Sequence, residues 1–139
     1  MKRFLLFLFV VSGLVAHAQT ADPLQIEGLE VTPEETATKT YFVRNVGTGL
    51  FMSYGGAWST NVIETSAAHP IALETNGEYV AIGSLVGYMN SNGMWFDHKK
   101  ETSKWMLVKV DGFVNQYYIQ NEHGQVISSE GNAAGILSQ

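Results

Sequence analysis

Two tryptophans, Trp58 and Trp95, stand 37 residues apart in matching settings, Gly55-Gly56-Ala57-Trp58 and Asn92-Gly93-Met94-Trp95. An indole carried on a glycine turn offers a flat apolar face that can stack on the C–H groups of a sugar ring, and one N–H donor. The same placement suits a packing role, in which each indole folds back over the end of a barrel, and the symmetry of the pair favours packing. The third such setting holds Ala133, so a ligand role is confined to two places. Beside Trp95 runs Asp97-His98-Lys99-Lys100-Glu101, whose Asp97 and His98 could exchange hydrogen bonds with a hydroxyl-rich ligand; its plainer reading is a solvated hairpin tip. With Asn90, these residues make the candidate ligand-binding set: Trp58, Trp95, Asn90, Asp97 and His98.

Other chemistries find little support. His69, His98 and His123 show no i, i+2 or i, i+4 pairing, and cysteine is absent, so neither a metal site nor a cofactor is expected. His123, within Asn121-Glu122-His123-Gly124, reads as a turn residue. There is no Gly-x-Ser-x-Gly elbow, phosphate loop or thiol, so no catalytic residue is assigned and the expectation is a protein that is not an enzyme. Glu64, Glu74 and Glu78 fall at strand ends, where carboxylates are usually solvated, although two acids brought together in space could still form a pair.

The N-terminus carries Lys2-Arg3, the apolar run 4–11 and a small-residue site at Ala16-His17-Ala18, the pattern of a secretory signal spanning residues 1–18 and cleaved near Ala18. The run is broken by Ser12, Gly13 and His17 and is too short for a membrane span of ~30 Å. The mature chain is therefore expected outside the cytoplasm, secreted, periplasmic or on the cell surface. Without Lys2 and Arg3 of the eight basic residues, six face thirteen acidic ones, a net charge of −7 that should repel nucleic acid and anionic lipid. Lacking cysteine, it can rely neither on disulfides nor on a lipidated thiol.

The elements that must position these residues follow a repeat. Tyr41-Phe42-Val43-Arg44-Asn45, Tyr79-Val80-Ala81-Ile82-Gly83 and Tyr117-Tyr118-Ile119-Gln120-Asn121 begin 38 residues apart, a period typical of one supersecondary unit used several times around a shared core. From residue 40 onward, short alternating runs separated by Gly, Asn and Ser predict strands joined by turns. Four are expected in unit one (near 41–46, 50–54, 61–65 and 70–74) and four in unit two (near 79–82, 87–90, 94–98 and 104–110). Three are expected in unit three (near 117–120, 126–129 and 135–138). Phe51, Tyr88 and Val126 correspond in this register, as do Met52, Met89 and Ile127, and Gly56, Gly93 and Gly131. The three leading tyrosines with Phe42, Val43, Val80, Ile82, Trp105, Leu107 and Ile119 are expected to form the core. Residues 19–39 form an acidic leader, read either as a linker or as a weak strand and loop; residues 40–139 form one domain, with repeats at about 40–75, 76–112 and 113–139.

Three four-stranded units of this length, each closed by an apolar residue after a polar spacer, resemble the β-trefoil of ricin-type lectin modules, over residues 40–139. The closing tryptophan of that family's Gln-x-Trp motif is matched by Ser103-Lys104-Trp105 and, without a tryptophan, by His69-Pro70-Ile71; both lack the glutamine. The string Arg44-Asn45-Val46-Gly47-Thr48-Gly49-Leu50-Phe51-Met52-Ser53, followed by Trp58, looks like a trefoil variety of large exported bacterial surface proteins. The resemblance implies an all-β trefoil and a non-catalytic binding module for glycans. It also implies an acidic residue early in the second strand of each sugar site, where this chain has Ser53, Asn90 and Ser128, so a sugar site here would be neutral or built differently.

A twelfth strand is missing from this reading. The chain is expected to be a fragment of a longer exported protein, or to supply the strand from residues 24–31, whose Leu29 precedes Tyr41 by the same 12 residues that separate Trp105 from Tyr117. The remaining option is a partner's strand added in trans. Against glycan recognition stand two alternatives: a protein-interaction or inhibitor-type trefoil, for which an apolar patch around 86–94 is the expected surface, and a spacer domain of a larger surface protein. The expected partner is thus a glycan or an extracellular protein.

Overall fold

The computed structural model describes residues 24–33, 39–128 and 136–138 of the 139-residue chain and builds them mainly from short antiparallel strands. Residues 1–18, where a secretory signal is expected, lie outside the described residues, as do Gly131 and Ala133. Ahead of the repeats come β1 (Leu24–Ile26) and β2 (Leu29–Val31). Unit one holds β3 (Thr40–Tyr41), β4 (Phe51–Gly55), β5 (Asn61–Thr65) and β6 (Ile71–Asn76). Unit two holds β7 (Tyr79–Ser84), β8 (Gly87–Met89), β9 (Phe96–Asp97) and β10 (Trp105–Lys109). Unit three holds β11 (Tyr117–Asn121), β12 (Val126–Ser128) and β13 (Ile136–Ser138).

The period of the tyrosines reappears as a period of pairing. In units two and three the first strand meets the second, through Gly83 and Tyr88 or Gln120 and Val126, and in unit one the segment just after β3 does so through Arg44 and Phe51. The second then folds back on the third, as β4–β5, β8–β9 and β12–β13. The fourth strand touches the first of its own unit, Tyr41 opposite Ile71 and Val80 opposite Trp105. It then turns into a hairpin with the first strand of the next, β6 with β7 and β10 with β11. Among the described residues, unit three has no fourth strand.

Burial follows the pleat, because successive side chains point to opposite faces of a strand. Trp105, Ile71, Ile82 and Met89 are fully buried, with Phe96 and Val80 almost so. The Trp105 indole N–H, which would be costly to leave unpaired there, donates to the Met89 carbonyl at 2.8 Å. Tyr41, Val43, Leu107 and Ile119 pack against this core while partly exposed. Phe42 departs from expectation: it is 62% exposed, on the face of the segment opposite its neighbours Tyr41 and Val43. Among the described residues the core is thus weighted toward units one and two.

Residues 24–31 form a hairpin of their own, with Leu24 opposite Val31, rather than a strand of the main sheet. Its turn uses Gly28 at φ 80°, a conformation open to glycine. Val31 is fully buried in the core, and Thr32 bridges Glu74 in parallel, its carbonyl accepting from the Thr75 N–H at 3.1 Å. The hairpin's backbone also accepts hydrogen bonds from two of the leading tyrosines: Tyr41 donates to the Glu30 carbonyl and Tyr117 to the Glu27 carbonyl. Lys109 lies over the Tyr117 ring and 3.8 Å from the Glu27 carboxylate.

Candidate functional site

The surface carries a hairpin face bearing the two tryptophans and a cleft between units one and three. On the first, β5 is zipped to the segment before β9: Val62 N–H donates to the Met94 carbonyl at 2.8 Å and Phe96 N–H to the Thr60 carbonyl at 2.7 Å. This brings the segments bearing Trp58 and Trp95 side by side. Their matching sequence settings do not give matching environments. Trp58 sits in a 3-10 turn (Ala57–Ser59) at φ 60°, ψ 8° and is 94% exposed. Trp95 is 43% exposed, and its indole lies so close to Gly93 that a Cβ there would come 1.7 Å from it.

Asn90 and Asp97 are engaged internally. Asn90 is 8% exposed; its amide donates to Asp97 Oδ2 at 2.8 Å, and its Oδ1 accepts from the Asn92 N–H at 2.8 Å. Asp97 also accepts from the Lys99 N–H at 2.8 Å and from the Thr102 hydroxyl at 3.1 Å. Burial pushes the Asp97 carboxyl up, but the hydrogen bonds from Asn90, Lys99 and Thr102, with the Lys99 charge, outweigh it and hold the group below the ordinary carboxylate value. These two residues build the loop. His98 is exposed beside them. Of the five candidates, Trp58, Trp95 and His98 present substantial surface to solvent.

The second region is a cleft of about 820 Å³ lined by residues 41–47 of unit one, 115–119 and 126–128 of unit three, and Gly28 and Leu29 of the hairpin. Its floor is the core itself, through Met52, Val62, Leu73 and Ile82. Phe42, Val46 and Tyr118 form an exposed apolar rim, at 62%, 69% and 54% exposure. The expected patch around 86–94 is not apolar surface of this kind: Met89 is fully buried, and Val86 and Met94 pack against the core.

Glu64 lines this cleft, and neither it nor Glu74 is the solvated strand-end acid expected from sequence. Glu74 is 8% exposed, accepting from the Tyr88 hydroxyl at 3.0 Å and lying 3.4 Å from the Lys100 ammonium. Glu64 Oε1 accepts from the Asn45 amide at 2.7 Å and the Thr48 hydroxyl at 3.3 Å, while Oε2 is buried without a hydrogen-bond partner. A signal was present in the sequence: Glu64 is two residues from Val62, so it shares the inward face of β5.

Sequence reasoning also missed Asn121. Fully buried, it donates to the Ser91 carbonyl at 2.9 Å and Gln125 Oε1 at 3.0 Å, and accepts from the backbone N–H groups of His123 and Gln125. Its place between a strand and a glycine turn was the available clue.

Ser53 and His69 make the nearest approach to a nucleophile–base pair, Ser53 Oγ to His69 Nδ1 at 3.0 Å. The same Nδ1 lies 3.1 Å from the Ala67 carbonyl, an acceptor only, so a hydrogen bond there requires Nδ1 to hold the proton. With its nitrogen so occupied and Ser53 only 1% exposed, the contact fixes a turn. Among the described residues, no group of three or more His, Asp or Glu is placed to hold a metal, and no helix is long and apolar enough to cross a membrane. Compared with known families, curated proteins and solved structures, the chain matches none.

Proposed function

We propose that this chain is an exported, non-catalytic binding module of β-trefoil type that recognises carbohydrate through Trp58 and the adjoining Trp95–His98 face. The pairing pattern repeated in each unit supports the trefoil reading. The observation that carries the functional reading is Trp58, an indole 94% exposed on a turn whose backbone is held at positive φ. Large apolar side chains rarely stand so free in a conformation that costs of order 1–3 kcal/mol unless that placement has a use. The polar groups left exposed for such a ligand along the segment paired with this turn are His98 and Lys99, rather than Asn90 and Asp97, which are committed within the loop.

The test is tryptophan fluorescence and thermal melting of residues 19–139 with pooled glycans, alongside Trp58→Ala. A ligand at 100 times its Kd should raise stability by about 2.7 kcal/mol. A shift with one pool that Trp58→Ala abolishes supports the reading; no shift with any pool overturns it. A second reading, protein recognition, is favoured by the apolar cleft.

A further inference from the structure

The cleft occupies a defined place in the repeat. In units one and two, a fourth strand stands beside the first strand of its own unit and forms a hairpin with the first strand of the next. The corresponding place in unit three lies between β11 and β3. Among the described residues no strand fills it: β3 pairs with β6, β11 pairs with β10 and β12, and the hairpin of residues 24–31 pairs within itself. What stands there is the cleft of about 820 Å³, with core side chains as its floor and the Gly28–Leu29 part of the hairpin, held by Tyr41 and Tyr117, as one wall. Sheet edges with an apolar slot between them are the setting for strand addition, in which backbone hydrogen bonds supply affinity and pockets read alternate side chains.

The charge at the slot narrows the occupant. Glu64 is the acidic residue of the lining, and its Oε2 is buried without a hydrogen-bond partner, so a donor that drew this carboxylate round toward the cleft would satisfy it. Arg44, the basic residue of the lining, already donates from Nε to the Gly49 carbonyl at 3.1 Å. The chain as a whole carries a net charge of −5, which favours a basic partner.

We infer that the cleft receives an extended strand of a partner polypeptide, apolar on alternate residues and carrying a Lys or Arg that reaches Glu64. This site is separate from the Trp58 face and does not depend on carbohydrate recognition. The chain contains a template for such a strand: β10 occupies the equivalent place in unit two, with Trp105 buried and a lysine at each flank of its apolar run.

The probe is therefore a synthetic peptide of residues 103–110, Ser-Lys-Trp-Met-Leu-Val-Lys-Val, added to the full chain and followed by calorimetry and amide hydrogen exchange. It should bind, and should slow exchange at least tenfold in segments 41–43 and 117–119. A scrambled peptide should bind at least tenfold more weakly. Phe42→Asp, a change at an exposed rim position, should weaken binding at least tenfold while leaving the melt unchanged. Glu64→Gln should weaken the lysine peptide more than one with both lysines replaced by glutamine. Trp58→Ala should bind the peptide normally, which separates this result from the carbohydrate reading. Absence of binding to the wild-type chain, or equal binding of the scrambled peptide, would overturn the inference. So would strong protection of both segments without peptide: if it persists on dilution the chain fills its own slot, and if it disappears a second copy does.

Discussion

The Asn90 amide donates to Asp97 Oδ2 at 2.8 Å, tying the end of β8 to β9 across the second unit's hairpin. This bond and its neighbours lower the Asp97 pKa, which fixes the sign of a pH effect. A carboxyl with a folded-state value below its unfolded value of about 3.9 contributes stability that is present above that value and lost as pH falls through the folded-state value. Asp97→Asn should cost roughly 1 kcal/mol at pH 7. Below pH 4 the gap between variant and wild type should narrow, as melts from pH 7 to 2.5 would reveal; a constant gap would mean that the carboxylate charge is immaterial.

Trp58 offers a case in which function and stability should separate. Its φ of 60° is one that glycine adopts freely, so Trp58→Gly should leave stability unchanged or raise it by about 0.5–1 kcal/mol. Denaturant melts of the variant would read this directly. A loss of more than about 1 kcal/mol would mean that the indole packs in solution.

Asn121 is a buried hub for two segments of backbone. Asn121→Ala strands the Ser91 carbonyl and the N–H groups of His123 and Gln125, and should cost about 2–4 kcal/mol in urea unfolding.

Two glycines should respond differently to the same methyl. At Gly93 an added Cβ meets the Trp95 ring, which is free to swing toward solvent, so Gly93→Ala should red-shift tryptophan emission. At Gly87, with φ 135°, the Cβ would come 2.3 Å from the Asp97 backbone carbonyl oxygen, and the hairpin itself must open. Gly87→Ala should be the more destabilising, by about 2 kcal/mol or more.

The N-terminal hairpin belongs to the folded unit through Val31. Val31→Ala, removing two methyl carbons from a fully buried site, should lower stability by about 2 kcal/mol. An unchanged melt would show that residues 24–31 are dispensable.

Much of the strand layout was legible because it is written in local patterns. The segment 61–65 reads as a strand and is one, and the 38-residue spacing of Tyr41, Tyr79 and Tyr117 returns as equivalent first strands. What was hidden depends on contacts between segments. Trp58 and Trp95 match in sequence, yet one turn is held at positive φ while the other is zipped to β5. Phe42 is as apolar as Val43, and its exposure reflects the cleft beside it. Glu64 announced itself through alternation with Val62, but the rule that acids sit on the surface masked that signal. The candidate set was therefore split: its aromatics and His98 reach solvent, while Asn90 and Asp97 are consumed by the loop.

The bond from the Tyr117 hydroxyl to the Glu27 carbonyl joins residues 90 apart in sequence. A chain synthesised from its N-terminus would have the first hairpin waiting, the Glu27 carbonyl without its Tyr117 donor, until unit three emerged. Folding of this domain should therefore finish at its beginning, with segment 24–31 the last to lock and the first to come free.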